Sequence, residues 1–147
     1  MPSCSARWAQ AMPPPVDRTL FALGFSAAAA DIDEIGHVNN AVWVRWIQEV
    51  ATAHWMAVAD PAEVAARLWV VTRHEIDYLR ALGPGGHVTA RTWVGDAPRG
   101  ARFDRHVEFV GEDGTVHVRA RTTWAMIDRA SGRPLRVTAE VAAPFLR

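Results

Sequence analysis

The sequence predicts an α+β domain in which an antiparallel sheet of five strands wraps around one long helix. Three features of the chain support this fold class. A broad apolar stripe follows one helical stretch, alternating apolar residues mark five shorter stretches, and short turns rich in glycine, proline and aspartate join the last four of these. Short connections join antiparallel neighbours, and a single apolar helix needs an apolar sheet face to cover it.

The chain has the length of one domain, which we expect over residues 18–147 behind a flexible leader over residues 1–17. The leader ends in three successive prolines, residues 13–15, which cannot continue a helix or a central strand. Cys4 is the only cysteine, so no disulfide forms within the chain and a reducing cytoplasm suits it. We expect no membrane span or signal peptide, because no apolar run has the required length.

The long helix is predicted from about residue 40 to about residue 59. Apolar side chains recur along it at steps of three and four residues, which is the spacing of one helix face. Asn39 or Asn40 provides the N-cap, since its side-chain oxygen accepts a hydrogen bond from a free backbone N–H. A strand over residues 19–26 precedes the helix.

Four further strands are predicted after the helix from alternating apolar residues. In the first of them the even positions, Leu68, Val70, Ile76 and Tyr78, predict one buried face. In the third, Arg105 interrupts an otherwise apolar face. The four stretches cover residues 68–78, 87–94, 103–109 and 116–126.

The balance of charge excludes some partners and cofactors. Sixteen arginines offset sixteen acidic residues, and the chain contains no lysine. A neutral chain lacks the concentrated basic face that nucleic-acid binding requires, so we expect no nucleic-acid partner. The six histidines lack the spacing of metal-binding motifs, and one cysteine builds no metal site. We therefore expect neither a metal nor another cofactor.

The residues between the first strand and the helix bring acid, imidazole and amide groups together. Asp33 precedes the helix start, where free backbone N–H groups polarise a carbonyl oxygen. A carboxylate beside such groups supplies both halves of an acyl-transfer site: Asp33 attacks the carbonyl or activates water, and N–H groups near Asn40 hold the oxyanion. The competing explanation for Asp33, and for Asp31, is a helix-dipole contact or a turn hydrogen bond. His37 is either a general base or hydrogen-bonding group for substrate, or a satisfied turn residue.

The chain resembles hot-dog-fold thioesterases of the 4-hydroxybenzoyl-CoA thioesterase and acyl-ACP thioesterase kind. The resemblance rests on the stretch Asp31-x-Asp33-x-x-Gly36-His37-Val38-Asn39-Asn40-x-x-Trp43-x-x-Trp46-x-x-Glu49. It continues through later segments and covers roughly residues 19–137. The predicted order of one strand, one long helix and four strands is also that of the hot-dog fold.

The resemblance implies hydrolysis of acyl thioesters, acyl-CoA or acyl-ACP, by a homodimer or homotetramer with sites at a subunit interface. Coenzyme A is then present only as part of the substrate. Asp33 corresponds to the catalytic aspartate of the family, and Asn40 to the helix-start residue whose backbone N–H polarises the thioester carbonyl. In the plant-type acyl-ACP enzymes an asparagine two residues after the aspartate acts with the histidine, and Ile35 stands there in this chain. This departure favours a mechanism centred on Asp33, with His37 assisting.

Five further residues are expected to bind substrate. Gly36 lies within the matched motif. Arg99 lies in the turn between the predicted third and fourth strands and Arg102 follows it, where related enzymes often place basic residues for phosphate. The guanidinium fork suits phosphate, although a solvated loop explains these arginines equally well. Trp43 and Ile47 are candidates to line the acyl pocket, although apolar helix residues more often belong to the core.

Two other functions stay open at this point. A hot-dog hydratase or dehydratase would use Asp33 and His37 as an acid/base pair, but the G-D-x-N-P-x-H pattern of hydratases is absent from the chain. A catalytically idle hot-dog protein would bind acyl thioesters without turnover, since a fold does not settle a function.

Overall fold

The computed structural model describes residues 10–13 and 15–146. The elements in chain order are β1 (Phe21–Ser26), a 3-10 turn (Ala29–Asp31), α1 (Asn40–Val58), α2 (Pro61–Ala66), β2 (Arg67–Tyr78), β3 (His87–Val94), β4 (Arg102–Gly111), β5 (Val116–Asp128), α3 (Ala139–Ala142) and a second 3-10 turn (Ala143–Phe145). The strands form one antiparallel sheet in the order β1-β3-β4-β5-β2. The predicted α+β fold, with five strands around one long helix, is confirmed.

Helix α1 begins at residue 40, as the sequence predicts. The side chain of Asn39 accepts a hydrogen bond from the N–H of Ala41 at 2.9 Å and caps the helix. With 19 residues, α1 is about 28 Å long and crosses the sheet. Its inward side chains are buried against the facing strands, and Ile47 and Val50 are completely inaccessible, as are Val107 and Phe109 of β4.

The core has two parts along α1. The first half of the helix packs against β1, β3, β4 and β5 through an aromatic cluster in which the rings of Trp43 and Phe109 lie 5.1 Å apart. The second half packs Trp55 against Phe103, and against Phe145 from the C-terminal segment. The C-terminal segment therefore closes the end of the core that the sheet leaves open.

A β-bulge in β2 corrects one sequence prediction. The register with β5 skips Thr72, because Val71 pairs with Trp124 while Arg73 pairs with the preceding residue of β5. At this bulge the even-numbered side chains of β2 change from one face of the sheet to the other. Even positions face α1 only after the bulge, so Leu68 and Val70 point away from the helix and are 40% and 44% exposed.

The sheet face turned away from α1, called the outer face below, carries two buried carboxylates. Asp104 accepts hydrogen bonds from Arg121 at 2.6 Å and Thr123 at 2.7 Å. Glu108, which is 1% exposed, accepts from Arg119 at 2.7 Å and from the backbone N–H of Met12 at 3.2 Å. Guanidinium groups therefore neutralise both carboxylates, and Glu108 also binds the leader.

The described part of the predicted leader contacts this outer face. Gln10 forms a bridge with Thr115, and its carbonyl accepts a hydrogen bond from Arg119 at 2.8 Å. The carbonyl of Met12 accepts from Arg91 at 3.1 Å. The rest of the leader, residues 1–9 and 14, lies outside the described residues. None of the described helices combines the length and the apolar composition needed to cross a bilayer.

The pKa of Asp104 makes the stability of the fold depend on pH in the acid range. Burial alone would raise its pKa, but hydrogen bonds from Arg121, Thr123 and Arg99 outweigh burial and lower the pKa from 3.8 to about 2. A lowered pKa stabilises the fold above pH 4, and this contribution disappears as the pH falls toward 2.

We expect the Asp104→Asn variant to have a free energy of unfolding lower by about 2 kcal/mol at pH 7, because one pKa unit corresponds to about 1.4 kcal/mol. Urea unfolding of both proteins at pH 7, 4 and 2.5 measures the difference, which should shrink toward pH 2.5. A difference that stays constant across this range would contradict the assignment to Asp104.

Candidate active site

Asp33 lies in a tight turn that ends at the start of α1. Its Oδ1 atom accepts two backbone hydrogen bonds, from Ile35 at 3.1 Å and from His37 at 3.2 Å. Its own backbone N–H donates to the carbonyl of His37 at 2.8 Å. Among the described residues, Oδ2 has no hydrogen-bond partner. The turn therefore fixes the carboxylate through one oxygen and leaves the other one available to a substrate.

The first turn of α1 presents a free donor close to this carboxylate in the chain. The N–H of Ala41 is capped by Asn39, and the N–H of Val42 donates to the carbonyl of Asn39 at 2.9 Å. Within the described residues the N–H of Asn40 forms no hydrogen bond. A free N–H at a helix N-terminus, supported by the helix dipole, stabilises negative charge on a nearby oxygen.

The neighbouring Asp31 holds the turn in place. Its carboxylate accepts from the backbone N–H of Ala28 at 2.9 Å and from Arg45 of α1 at 2.9 Å, and its carbonyl accepts from Asn39 at 2.9 Å. The Ala28 hydrogen bond and, after it, the Arg45 hydrogen bond lower the pKa of Asp31. With both carboxylate oxygens bonded and 6% of the residue exposed, Asp31 anchors the motif to the helix.

The rest of the motif surrounds Asp33 with exposed groups. The side chain of His37 is exposed and makes no hydrogen bond to any described residue. Gly36 has φ +80°, a left-handed conformation that favours glycine, and nothing lies within 4 Å of the position a Cβ would take. Ile35, at the tip of the turn, is 75% exposed. Tyr78, from the end of β2, donates to the carbonyl of Asn40 at 3.4 Å.

Trp43 and Ile47, the predicted acyl-pocket residues, lie in the core. Trp43 is 2% exposed and Ile47 is inaccessible. Neither borders the cavity of about 270 Å³ between the second half of α1 and the sheet. Their part in substrate binding stays a prediction.

Arg99 and Arg102 lie at the far end of the sheet from Asp33. The segment that contains the motif turn hydrogen-bonds to the loop before β3: the N–H of Ala27 donates to Gly86, and the N–H of Val38 donates to Leu82. The end of β4 lies at the same end of the sheet as this loop. Arg102 begins β4, nine residues before its end at Gly111, which places it about 30 Å away at 3.3 Å per residue. Within one chain the structure does not bring the arginines and the carboxylate together.

Arg99 is already part of a charged group on the outer face. Arg99 reaches Asp104 at 3.3 Å, and with Arg73, Glu75, Arg121 and Thr123 it lines a small cavity of about 100 Å³. Sequence reasoning missed this group because its members come from four separate segments. No cluster of metal-binding side chains occurs among the described residues.

Sequence reasoning also missed a buried polar pair between α1 and β4. Arg105 donates to Nδ1 of His54 at 2.8 Å and to Thr92 at 3.1 Å. The interruption of the apolar face by Arg105 was the available signal, whereas His54 looked like one more member of the helix stripe.

The family model described as the thioesterase-like superfamily matches residues 28–145, which include the motif turn, α1 and all of β2 to β5. The chain belongs to the thioesterase-like superfamily. A comparison of this superfamily member with curated proteins finds no match.

Solved structures similar to this superfamily member include several thioesterases. A DHNA-CoA thioesterase from Staphylococcus aureus has a TM-score of 0.71 at 18% identity, with 80% of each chain covered. A hypothetical protein from Staphylococcus aureus in complex with CoA has a TM-score of 0.77 at 15% identity, with 90% of this chain and 85% of that chain covered. An acyl-ACP thioesterase from Bacteroides thetaiotaomicron has a TM-score of 0.73 at 20% identity, with 84% of this chain and 52% of that chain covered. These similarities confirm the hot-dog fold.

We expect Gly36→Ala to lower the free energy of unfolding by about 1–2 kcal/mol, because alanine is strained at φ +80°. Urea denaturation measures the loss. Gly83→Ala is the matched control, since that site is equally open but lacks a positive φ, and it should change stability little. Equal effects of the two substitutions would show that the left-handed conformation is not the cause.

Proposed function

We propose that this protein hydrolyses acyl thioesters to a free acid and a thiol. The observation that carries the proposal is that one short segment supplies two groups without a hydrogen-bond partner among the described residues, Oδ2 of Asp33 and the backbone N–H of Asn40 at the start of α1. Membership of the thioesterase-like superfamily supports the reaction class.

In the proposed reaction the thioester carbonyl oxygen accepts a hydrogen bond from Asn40. Asp33 then either attacks the carbonyl carbon or removes a proton from the attacking water, and the developing oxyanion is held by the N–H group. Collapse of the intermediate breaks the C–S bond, and the thiolate leaves and takes up a proton. Where Asp33 is the nucleophile, water then hydrolyses the acyl–Asp33 anhydride, which releases the free acid and restores the carboxylate. The two turn hydrogen bonds to Oδ1 keep Asp33 oriented throughout.

His37 assists in this proposal. Its backbone N–H holds Asp33, and its exposed side chain is free to bond the substrate or the departing thiol. Ile35, an apolar residue, stands where the plant-type enzymes carry an asparagine, so the mechanism assigns no role to an asparagine at that position.

We propose a homodimer in which β2 pairs with β2 of a second copy. Strand β2 is one edge of the sheet, has 12 residues, and exposes Leu68, Val70 and Tyr78. Such an edge is a template for pairing with another chain. Two copies related by a two-fold axis pair β2 antiparallel, so the start of one β2 meets the end of the other.

This pairing brings the distant arginines to Asp33. One row across the sheet contains Val70 of β2, Ala125 of β5 and Arg102 of β4. Tyr78, at the other end of β2, lies beside the motif turn, because it hydrogen-bonds to Asn40. An antiparallel β2 pair therefore places the Arg102 end of one copy beside the Tyr78 end of the other. The completed site would join a carboxylate from one chain to cations from its partner, where Arg102 is proposed to bind phosphate.

Coenzyme A thioesters are the substrates we propose ahead of acyl-ACP. One similar structure is named as a DHNA-CoA thioesterase and another is in complex with CoA. The arginines on β4 and the turn before it suit the phosphates of a nucleotide. We propose a cytoplasmic location, because the sequence has a single cysteine.

We expect Asp33→Asn to lower kcat for thiol release by roughly 100-fold or more, since it removes the nucleophile or base and keeps the side-chain shape. Thiol release is measured with short, medium, long and aromatic acyl-CoAs. Glu34→Gln is the matched control, because Glu34 is the adjacent exposed carboxylate, and it should keep the wild-type rate. Full activity of Asp33→Asn would refute the mechanism, and silence of the wild type on acyl-CoA and acyl-ACP would refute the reaction.

We expect Val70→Glu to shift the protein from dimer to monomer, because it puts like charges into the β2 pair. Sedimentation velocity measures the assembly, and kcat/KM should fall with it. Leu23→Glu is the control, since Leu23 lies on the other edge strand, β1, and is 37% exposed. If Leu23→Glu dissociates the protein and Val70→Glu does not, the wrong edge has been assigned.

A further inference from the structure

A cavity between α1 and the sheet lies away from Asp33. It has a volume of about 270 Å³ and sits between the second half of α1, from Ala51 to Met56, and strands β2, β4 and β5. Ala51 and Met56 follow Asn40 by 11 and 16 residues, which places the cavity about 17 to 24 Å along the helix. Aromatic side chains form much of its wall: Trp55, Trp69, Phe103, Trp124 and Phe145.

A guanidinium that has no counter-ion among the described residues forms part of this apolar wall. Arg105 is 7% exposed and lies in the cavity wall, and its Cζ is 5.7 Å from the ring centroid of Phe145. Burial lowers the pKa of Arg105 to about 10, so the group remains charged at neutral pH. No described carboxylate lies within ion-pair distance of it. A buried charge without a counter-ion is costly, so its retention calls for an explanation.

The neighbours of Arg105 do not neutralise it. Its two hydrogen bonds both leave from Nη1, to His54 and to Thr92. Because arginine only donates, Nδ1 of His54 must accept, and the ring is neutral. Burial, together with the Arg105 charge, lowers the pKa of His54 to about 3, in agreement with a neutral ring. Nε and Nη2 of Arg105 have no hydrogen-bond partner among the described residues.

The described side chains of the wall offer almost no acceptor for this charge. Within the described part of the chain, the acidic residue that borders the cavity is Asp104, whose carboxylate already accepts hydrogen bonds from Arg121 and Thr123. The donors of Arg105 that have no described partner therefore lie in the wall of an apolar cavity that has no available carboxylate.

We propose that this cavity binds an apolar carboxylate. The carboxylate accepts from Nε and Nη2 of Arg105, which present a two-pronged donor, and the apolar body packs against Trp55, Trp69 and Phe103. The volume suits a single aromatic or medium-length aliphatic acid. This site is separate from Asp33 and does not depend on the proposed hydrolysis.

Isothermal titration with matched acid and amide pairs tests the proposal. The probes are 2-naphthoate with 2-naphthamide, and octanoate with octanamide, on the full chain. We expect each acid to bind about tenfold or more tightly than its amide, because charge-assisted hydrogen bonds are stronger than neutral ones. Arg105→Gln should remove this preference while the amide affinity stays within about twofold. Arg136→Gln, at an exposed site, is the matched control and should change neither affinity.

A second variant protects the test against a folding defect in Arg105→Gln. Thr52 is exposed and borders the cavity, so Thr52→Phe narrows the opening without touching the buried guanidinium. It should weaken acid and amide alike. Equal binding of acid and amide to the wild type, no binding of either, or an unchanged acid affinity in well-folded Arg105→Gln would each overturn the proposal.

The bound carboxylate belongs either to a free acid or to the far end of a substrate acyl group, and kinetics distinguish the two. If it belongs to substrate, hexadecanedioyl-CoA, whose acyl chain is long enough to reach from Asp33 to the cavity, is hydrolysed with a higher kcat/KM than palmitoyl-CoA, and Arg105→Gln removes the difference. If the wild type hydrolyses both thioesters with the same kcat/KM, and the titration shows the preference for the acid over the amide, the occupant is a free acid. Only this comparison rests on the proposed thioesterase activity, whereas the titration stands without it.

Discussion

The burial of one face of α1 against one face of the sheet is the contact on which the rest of the structure depends. Ile47 and Val50 on the helix and Val107 and Phe109 on β4 are inaccessible, and each buried side chain of this size contributes roughly 1.5–3 kcal/mol. This packing sets the position of the helix N-terminus. Because the motif turn runs directly into that terminus, the orientation of Asp33 relative to Asn40 follows from the packing of the core.

Two neighbouring carboxylates in the motif turn have opposite surroundings. Asp31 is buried, and both of its oxygens are bonded, one to Arg45 of α1. Asp33 is held through one oxygen by backbone N–H groups, and its other oxygen has no partner among the described residues. Asp31 thus fixes the turn to the helix. The carboxylate of Asp33 is therefore held in place while one of its oxygens remains available to a substrate. A site on such a turn needs little reorganisation to receive a substrate.

Local patterns predicted most of the fold, while the pairing of distant segments escaped them. The apolar period and the asparagine cap gave the start of α1, and alternation gave β3 to the residue. The bulge at Thr72 was missed because alternation assumes a constant phase. Asp33 was singled out by its position before a helix, but the separation of Arg102 from it depends on strand order, which no local pattern encodes. The partner of Arg105 was missed for the same reason.

The ion pairs of the outer face constrain how this sequence varies. Asp104 lies between Arg99 and Arg121, and Glu108 lies between Arg91 and Arg119. Loss of either acid by a single substitution leaves two guanidinium groups facing each other at close range, and such coupled sites do not contribute additively to stability. Each acid and its two arginines are therefore expected to covary among related chains. The residues of the surrounding loops, which lack such coupling, are expected to vary independently.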